Sequence, residues 1–125
     1  MEKYFSIQTV ACLTGLHAST IRFYESEGLI KGIHRSKANI RQFTQKDIDW
    51  IEFLAKLKEM EMPLAMMKQY AALREKGDET ISARMALLRQ HKKALRTKIE
   101  NLHHNMALLE NKIQFYQNMK GKDNE

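Results

Sequence analysis

The chain has 125 residues, about one domain's worth, and its 43% hydrophobic content is enough for a modest core. That composition excludes a disordered chain, and no apolar run approaches the roughly 20 residues needed to cross a bilayer. A formal charge of +6 suits a polyanionic partner while saying nothing about fold. Cys12 is the only cysteine, which excludes an intrachain disulfide and a cysteine zinc site and suits a reducing compartment. Within the apolar run IQTVACL it is expected to be a buried small hydrophobe. The start, MEKYFSIQTV, is neither long nor apolar enough for a signal peptide, so a soluble, cytoplasmic protein is expected.

In chain order, Ser6 is the expected N-cap of a first helix whose inner face carries Ile7, Val10, Ala11 and Cys12. Thr14-Gly15 closes it, because glycine takes the left-handed conformation that ends a helix. A second helix runs from about Ala18 to Ser26 and stops at Gly28. Two short helices joined by a tight glycine turn make a helix-turn-helix. The stretch KGIHRSKANIRQF, residues 31–43, lacks a helical period; SKAN reads as a turn between two short strands, a basic wing. Thr44 and Asp47 resemble a capping box with Asp in place of Glu. The helix that follows carries Ile48, Ile51, Leu54, Ala55, Leu57 and Lys58 in helical period, flanked by Trp50 and Phe53. Pro63 suits the first turn of a fourth helix ending at Gly77, and Asp78 is the expected cap of a fifth.

The fifth helix dominates the rest of the chain. Ile81, Met85, Leu88, Lys92, Leu95, Ile99, Leu102, Met106, Leu109, Ile113 and Tyr116 recur in steps of four and three. Only Lys92 breaks this coiled-coil seam. A rod with one apolar stripe needs a partner, and its own twin is the economical one. Leu88, Leu95, Ile99, Leu102, Met106, Leu109 and Ile113 are the expected dimerisation residues. Flanking positions Arg84, His91, Lys98, Arg89 and Arg96 repel in either strand direction, so their charge does not settle it. They read as a solvated basic face. The expected division is residues 1–77, a winged helix-turn-helix domain, 78–120, a coiled-coil dimerisation helix, and 121–125, a disordered tail.

A helix in the major groove reads base edges near its N-terminal end while neighbouring groups hold phosphate. Ser19 and Thr20 are small and polar, Arg22 can reach guanine or phosphate, and the Tyr24 hydroxyl is a phosphate donor. Phe23 is expected to pack inward. Arg35, Lys37 and Arg41 on the wing neutralise further backbone charge.

These residues carry a resemblance. SIQTVACLTGLHASTIRFYESEGLI, Arg35, IRQFT, DIDWIEFLAKLKEMEMPL and the heptad helix together resemble the MerR family of bacterial transcription regulators, over nearly the whole chain. The resemblance implies a mainly α fold: a winged helix-turn-helix with a two-stranded wing, then a long C-terminal helix pairing antiparallel across a homodimer. It also implies binding to a pseudo-palindromic operator in double-stranded DNA, distortion of that DNA, and RNA polymerase as partner at the promoter. By position, Thr20, Arg22 and Tyr24 match the recognition helix, Arg35 and Arg41 match the wing arginines, and Ser19, Lys37 and Phe43 are further contacts. Phe23 and Phe43 stand where many members have tyrosine, and Glu61 holds a common glycine position. The cysteines of metal-sensing members are missing, Lys56 lies near the place of the third-helix thiol of aldehyde- and oxidant-responsive members, and no C-terminal ligand domain is expected.

No metal or cofactor is expected. His91, His103 and His104 lack the spacing a helical zinc site prefers and read as solvated. Met60, Met62, Met66 and Met67 read as adaptable packing at a helix junction. An enzyme is not expected, since the sequence shows no glycine-rich phosphate loop, no cysteine–histidine pairing and no carboxylate cluster in a plausible pocket. The alternatives to an operator-binding regulator are a coiled-coil adaptor for a protein partner, which leaves the wing arginines unexplained, and an architectural DNA-binding protein without operator choice.

Overall fold

The computed structural model describes residues 3–123. In order it forms α1 (Ile7–Thr14), α2 (Ala18–Ser26), β1 (His34–Arg35), β2 (Arg41–Gln42), α3 (Gln45–Glu59), α4 (Leu64–Glu75), a 3-10 turn (Asp78–Thr80) and α5 (Ile81–Asp123). Contacts divide it into two compact units, Met1–Arg84 and Met85–Glu125.

In the first unit, the Ser6 hydroxyl accepts from the Thr9 amide and starts α1, and Gly15, at φ 75°, closes it with an N–H to the Ala11 carbonyl. Thr44 and Asp47 form the full reciprocal capping box at the start of α3, satisfying two amides that a helix end otherwise leaves bare. Pro63 stands one position earlier than expected, at the N-cap of α4, where its carbonyl accepts from Met66 and Met67.

Every third or fourth residue of α3 (Ile48, Ile51, Leu54 and Leu57) is fully buried, and Val10, Ile21 and Phe43 join them as the closed centre of the core. Each such side chain contributes roughly 1.5–3 kcal/mol by leaving water. Leu29, Ile30, Met62, Met67 and Ala71 complete the cluster, with Met66 packed beside it and Met60 left exposed. The Trp50 indole donates to the Leu29 carbonyl at 2.8 Å, tying α3 to the segment that follows α2. Lys31–Glu75 and Lys68–Glu27 add exposed ion pairs, worth at most about 1 kcal/mol each.

Some expectations need correction. Cys12 is exposed, because at position 12 the helix has turned past the face that Ile7 and Val10 bury. Asp78 does not cap α5; it lies in the 3-10 turn that follows Gly77, whose φ is 93°. Thr80 is the buried polar residue there, its hydroxyl shared between the Leu73 and Gly77 carbonyls at 2.6 and 2.7 Å. Arg84 donates to that same hydroxyl and to the Gly77 carbonyl, which ties the first turn of α5 to the first unit. Glu61 takes φ 60°, the left-handed conformation that explains a glycine preference at its position.

In the second unit, α5 runs through Gly121 to Asp123, past the expected start of a tail; residues 124 and 125 lie outside the described residues. The heptad positions Leu88, Ile99, Leu102, Met106, Leu109 and Ile113 are exposed and Leu95 is half-exposed. His103 and His104 are exposed, whereas His91 is buried, not solvated as expected. No described helix is long and apolar enough to cross a membrane.

Candidate nucleic-acid interface

The surface begins with how α2 is rotated. Its start is fixed by the His17 carbonyl, which accepts from the Thr20 and Ile21 amides, and its end by Gly28 at φ 81°. Leu29 then returns its amide to the Tyr24 carbonyl at 2.9 Å and enters the core with Ile30. With Ile21 and Tyr24 directed inward, a 3.6-residue period sends Ser19, Arg22, Phe23 and Ser26 outward as one stripe. Thr20 and Glu25 lie half-buried on its edge.

The expected roles of the two adjacent aromatics are therefore exchanged. Phe23 is 46% exposed, while Tyr24 is only 5% exposed and its ring belongs to the core. Burial raises the Tyr24 pKa above the usual phenol value, so its hydroxyl stays protonated, a donor and not a charge. No described buried side-chain oxygen lacks a partner, so that hydroxyl is not an interior orphan. Arg22 carries no ion pair among the described residues and stands open to an anion.

The wing is an antiparallel pair in which His34 faces Gln42 and Arg35 faces Arg41. Its turn is held by Ser36, whose amide and hydroxyl bond Ile40, and by Asn39 in the left-handed conformation at φ 63°. Lys37 is exposed on the turn. Arg35 and Arg41 lie together, both reaching back to Glu25 of α2. Two like charges directly across a strand pair repel, and this carboxylate compensates them. Phe43 is 1% exposed, and its backbone pairs with Phe5 on both sides at 2.8 and 2.9 Å. Its side chain is thus a core element and not a contact, a correction to the expected site. Tyr4 stacks on His34 across 5.0 Å.

The structure brings Ser19, Arg22, Arg35, Lys37 and Arg41 onto the surface of one unit with Thr20 at its edge. Sequence reasoning missed Phe23 and Ser26 on the stripe and Glu25 behind it. The period itself held the signal: Ser19, Arg22, Phe23 and Ser26 are spaced three, four and seven apart. Among the described residues, no three His, Cys, Asp or Glu side chains gather closely enough to hold a metal ion.

A short helix with a polar, cationic outer stripe, set behind a tight turn and beside a basic hairpin, defines the winged helix-turn-helix class of DNA-binding proteins. Residues 5–73 match the MerR HTH family of regulatory proteins and residues 48–114 the MerR DNA-binding region, and the chain belongs to this family. It is a transcriptional regulator and not an enzyme. An uncharacterized HTH-type transcriptional regulator of Haemophilus influenzae is 38% identical over 106 residues, covering 85% of this chain and 78% of that one. The crystal structure of HiNmlR, a MerR family regulator lacking the sensor domain and bound to promoter DNA, superposes with a TM-score of 0.75 at 35% identity, covering 94% of each chain. A MerR family regulator from Listeria monocytogenes gives a TM-score of 0.78 at 31% identity, over 90% of this chain and 86% of that one.

Proposed function

We propose that the protein binds a pseudo-palindromic operator in double-stranded promoter DNA as a homodimer, distorts it, and so governs its use by RNA polymerase in the cytoplasm. The observation that carries this is the outward stripe of α2, Ser19 and Arg22 with the arginines of the wing beside them. Serine and a free arginine at the start of a groove-entering helix suit base edges and phosphate, and Lys37 and the wing suit the flanking backbone. The promoter-bound relative supports the same reading.

The dimer rests on α5. A helix of 43 residues is about 65 Å long at 1.5 Å per residue, and its apolar stripe faces solvent along most of that length, with Leu102 61% exposed. Counted by halves, its charge also favours one direction. Ile81–Ile99 holds six lysines and arginines and no acid, while residues 100–123 hold three of each sign. Parallel pairing sets the two cationic halves against each other; antiparallel pairing sets each against a neutral one. Two subunits present two recognition helices, which is what an inverted repeat requires. The test is selection of bound fragments from genomic DNA followed by footprinting. Protection of two half-sites by a two-subunit species is expected; a single-subunit species without preference for any inverted repeat overturns the reading.

A further inference from the structure

α2 must approach a polyanion, yet it carries an acid beside its outer stripe. By charge alone Glu25 should weaken binding. Its geometry gives it another role. One carboxylate oxygen, Oε1, accepts from Arg41 Nε at 2.8 Å and from Arg35 Nη2 at 3.3 Å. Arg35 continues through Nη1 to the carbonyl of Asn39 at 3.5 Å, the left-handed residue of the wing turn. A chain of polar contacts thus runs from the recognition helix to the tip of the wing. Because Arg41 engages Glu25 through Nε, its two terminal nitrogens stay available to phosphate. The Glu25 side chain is 21% exposed, less than either arginine, so the acid sits behind the cations it gathers. Without it, Arg35 and Arg41, directly opposite on the hairpin, would push apart.

Resting on the DNA-binding reading above, we propose that Glu25 is a positioning residue: by holding Arg35 and Arg41 at one oxygen it sets the wing against the recognition helix, so that an acid on α2 raises affinity for DNA. The substitution Glu25→Gln keeps the shape and makes the protein one unit more positive. Simple charge attraction then gives tighter binding, whereas loss of positioning gives binding weaker by roughly five- to tenfold. Ethylation interference should vanish at the phosphates under the wing and persist at those beside α2. In an Arg35→Ala/Arg41→Ala background the same change should no longer weaken binding. Glu25→Asp, with the charge kept and the reach shortened, should fall between. Equal or tighter binding by Glu25→Gln overturns the proposal, as does a loss spread evenly over all phosphates or one that persists without the arginines. In the DNA-free protein, the Arg41 Nε–H should exchange slowly with water and become fast in Glu25→Gln; fast exchange in the unsubstituted protein also overturns it. If no inverted repeat is protected at all, the operator reading falls, and the exchange measurement still decides whether Glu25 holds Arg41.

Discussion

The two units use similar residues to opposite ends. In the first, Ile48, Ile51, Leu54 and Leu57 of α3 recur at helical spacing and are closed off by α1, α2 and Phe43, which follows the wing. In the second, Leu95, Ile99, Leu102, Met106 and Leu109 recur at nearly the same spacing, and all but the half-exposed Leu95 stay open to solvent. The lesson is that a periodic apolar stripe says only that something covers it. Whether the cover comes from the same chain is decided by what lies nearby in sequence: short helices and turns in one case, a single uninterrupted helix in the other.

That contrast can be broken most severely at the seam. Leu102→Lys or Leu95→Lys is expected to yield monomers, since an unpaired charge buried between helices costs on the order of 3–5 kcal/mol; sedimentation that still finds dimers would remove these residues from the interface. Leu54→Ala, in the first unit, should lower stability toward urea by roughly 2–5 kcal/mol while leaving the subunit count unchanged. Arg22→Ala should weaken operator binding by roughly 1–3 kcal/mol and relax base preference, with the melting temperature unaltered; unchanged binding would take Arg22 out of the site. Glu61→Gly relieves a side chain held at positive φ and is expected to raise stability by up to about 1 kcal/mol, measured by denaturant titration. Cys12→Ser, at an exposed position, should shift stability by less than about 0.5 kcal/mol and leave any response to oxidants or aldehydes intact. A lost response in that variant would make Cys12 a sensor.

Much of the local structure was legible because it is set by short-range chemistry. Ser6, Gly15 and the Thr44–Asp47 box act within four residues, and each ends or begins a helix where the sequence places it. The bounds of α2 and the SKAN turn follow for the same reason. What failed was rotation. Which of Phe23 and Tyr24 faces inward depends on where α1 and α3 lie, and the polar hydroxyl of tyrosine pointed the wrong way: its ring packs well in a core as long as the oxygen reaches a partner or the surface. Phe43 was drawn into the site by its place in a motif, although the core takes its side chain. Cys12 misled similarly, since its apolar neighbours span more of the helix than one face can bury. Glu25 was invisible because its meaning lies in two residues ten and sixteen positions away.

Trp50 offers a practical return. It is the only tryptophan in the chain, its indole N–H is held by the Leu29 carbonyl just after the recognition helix, and the guanidinium of Arg74 lies 4.1 Å above its ring. Its emission is therefore a native optical reporter for the N-terminal unit alone, whereas far-ultraviolet ellipticity sums the helices of both units, with α5 alone supplying 43 residues. Recorded side by side during titration or heating, a fall in ellipticity at constant emission would mark loss of helix in α5, and a change in both would mark loosening of the unit beneath α2, with no label attached.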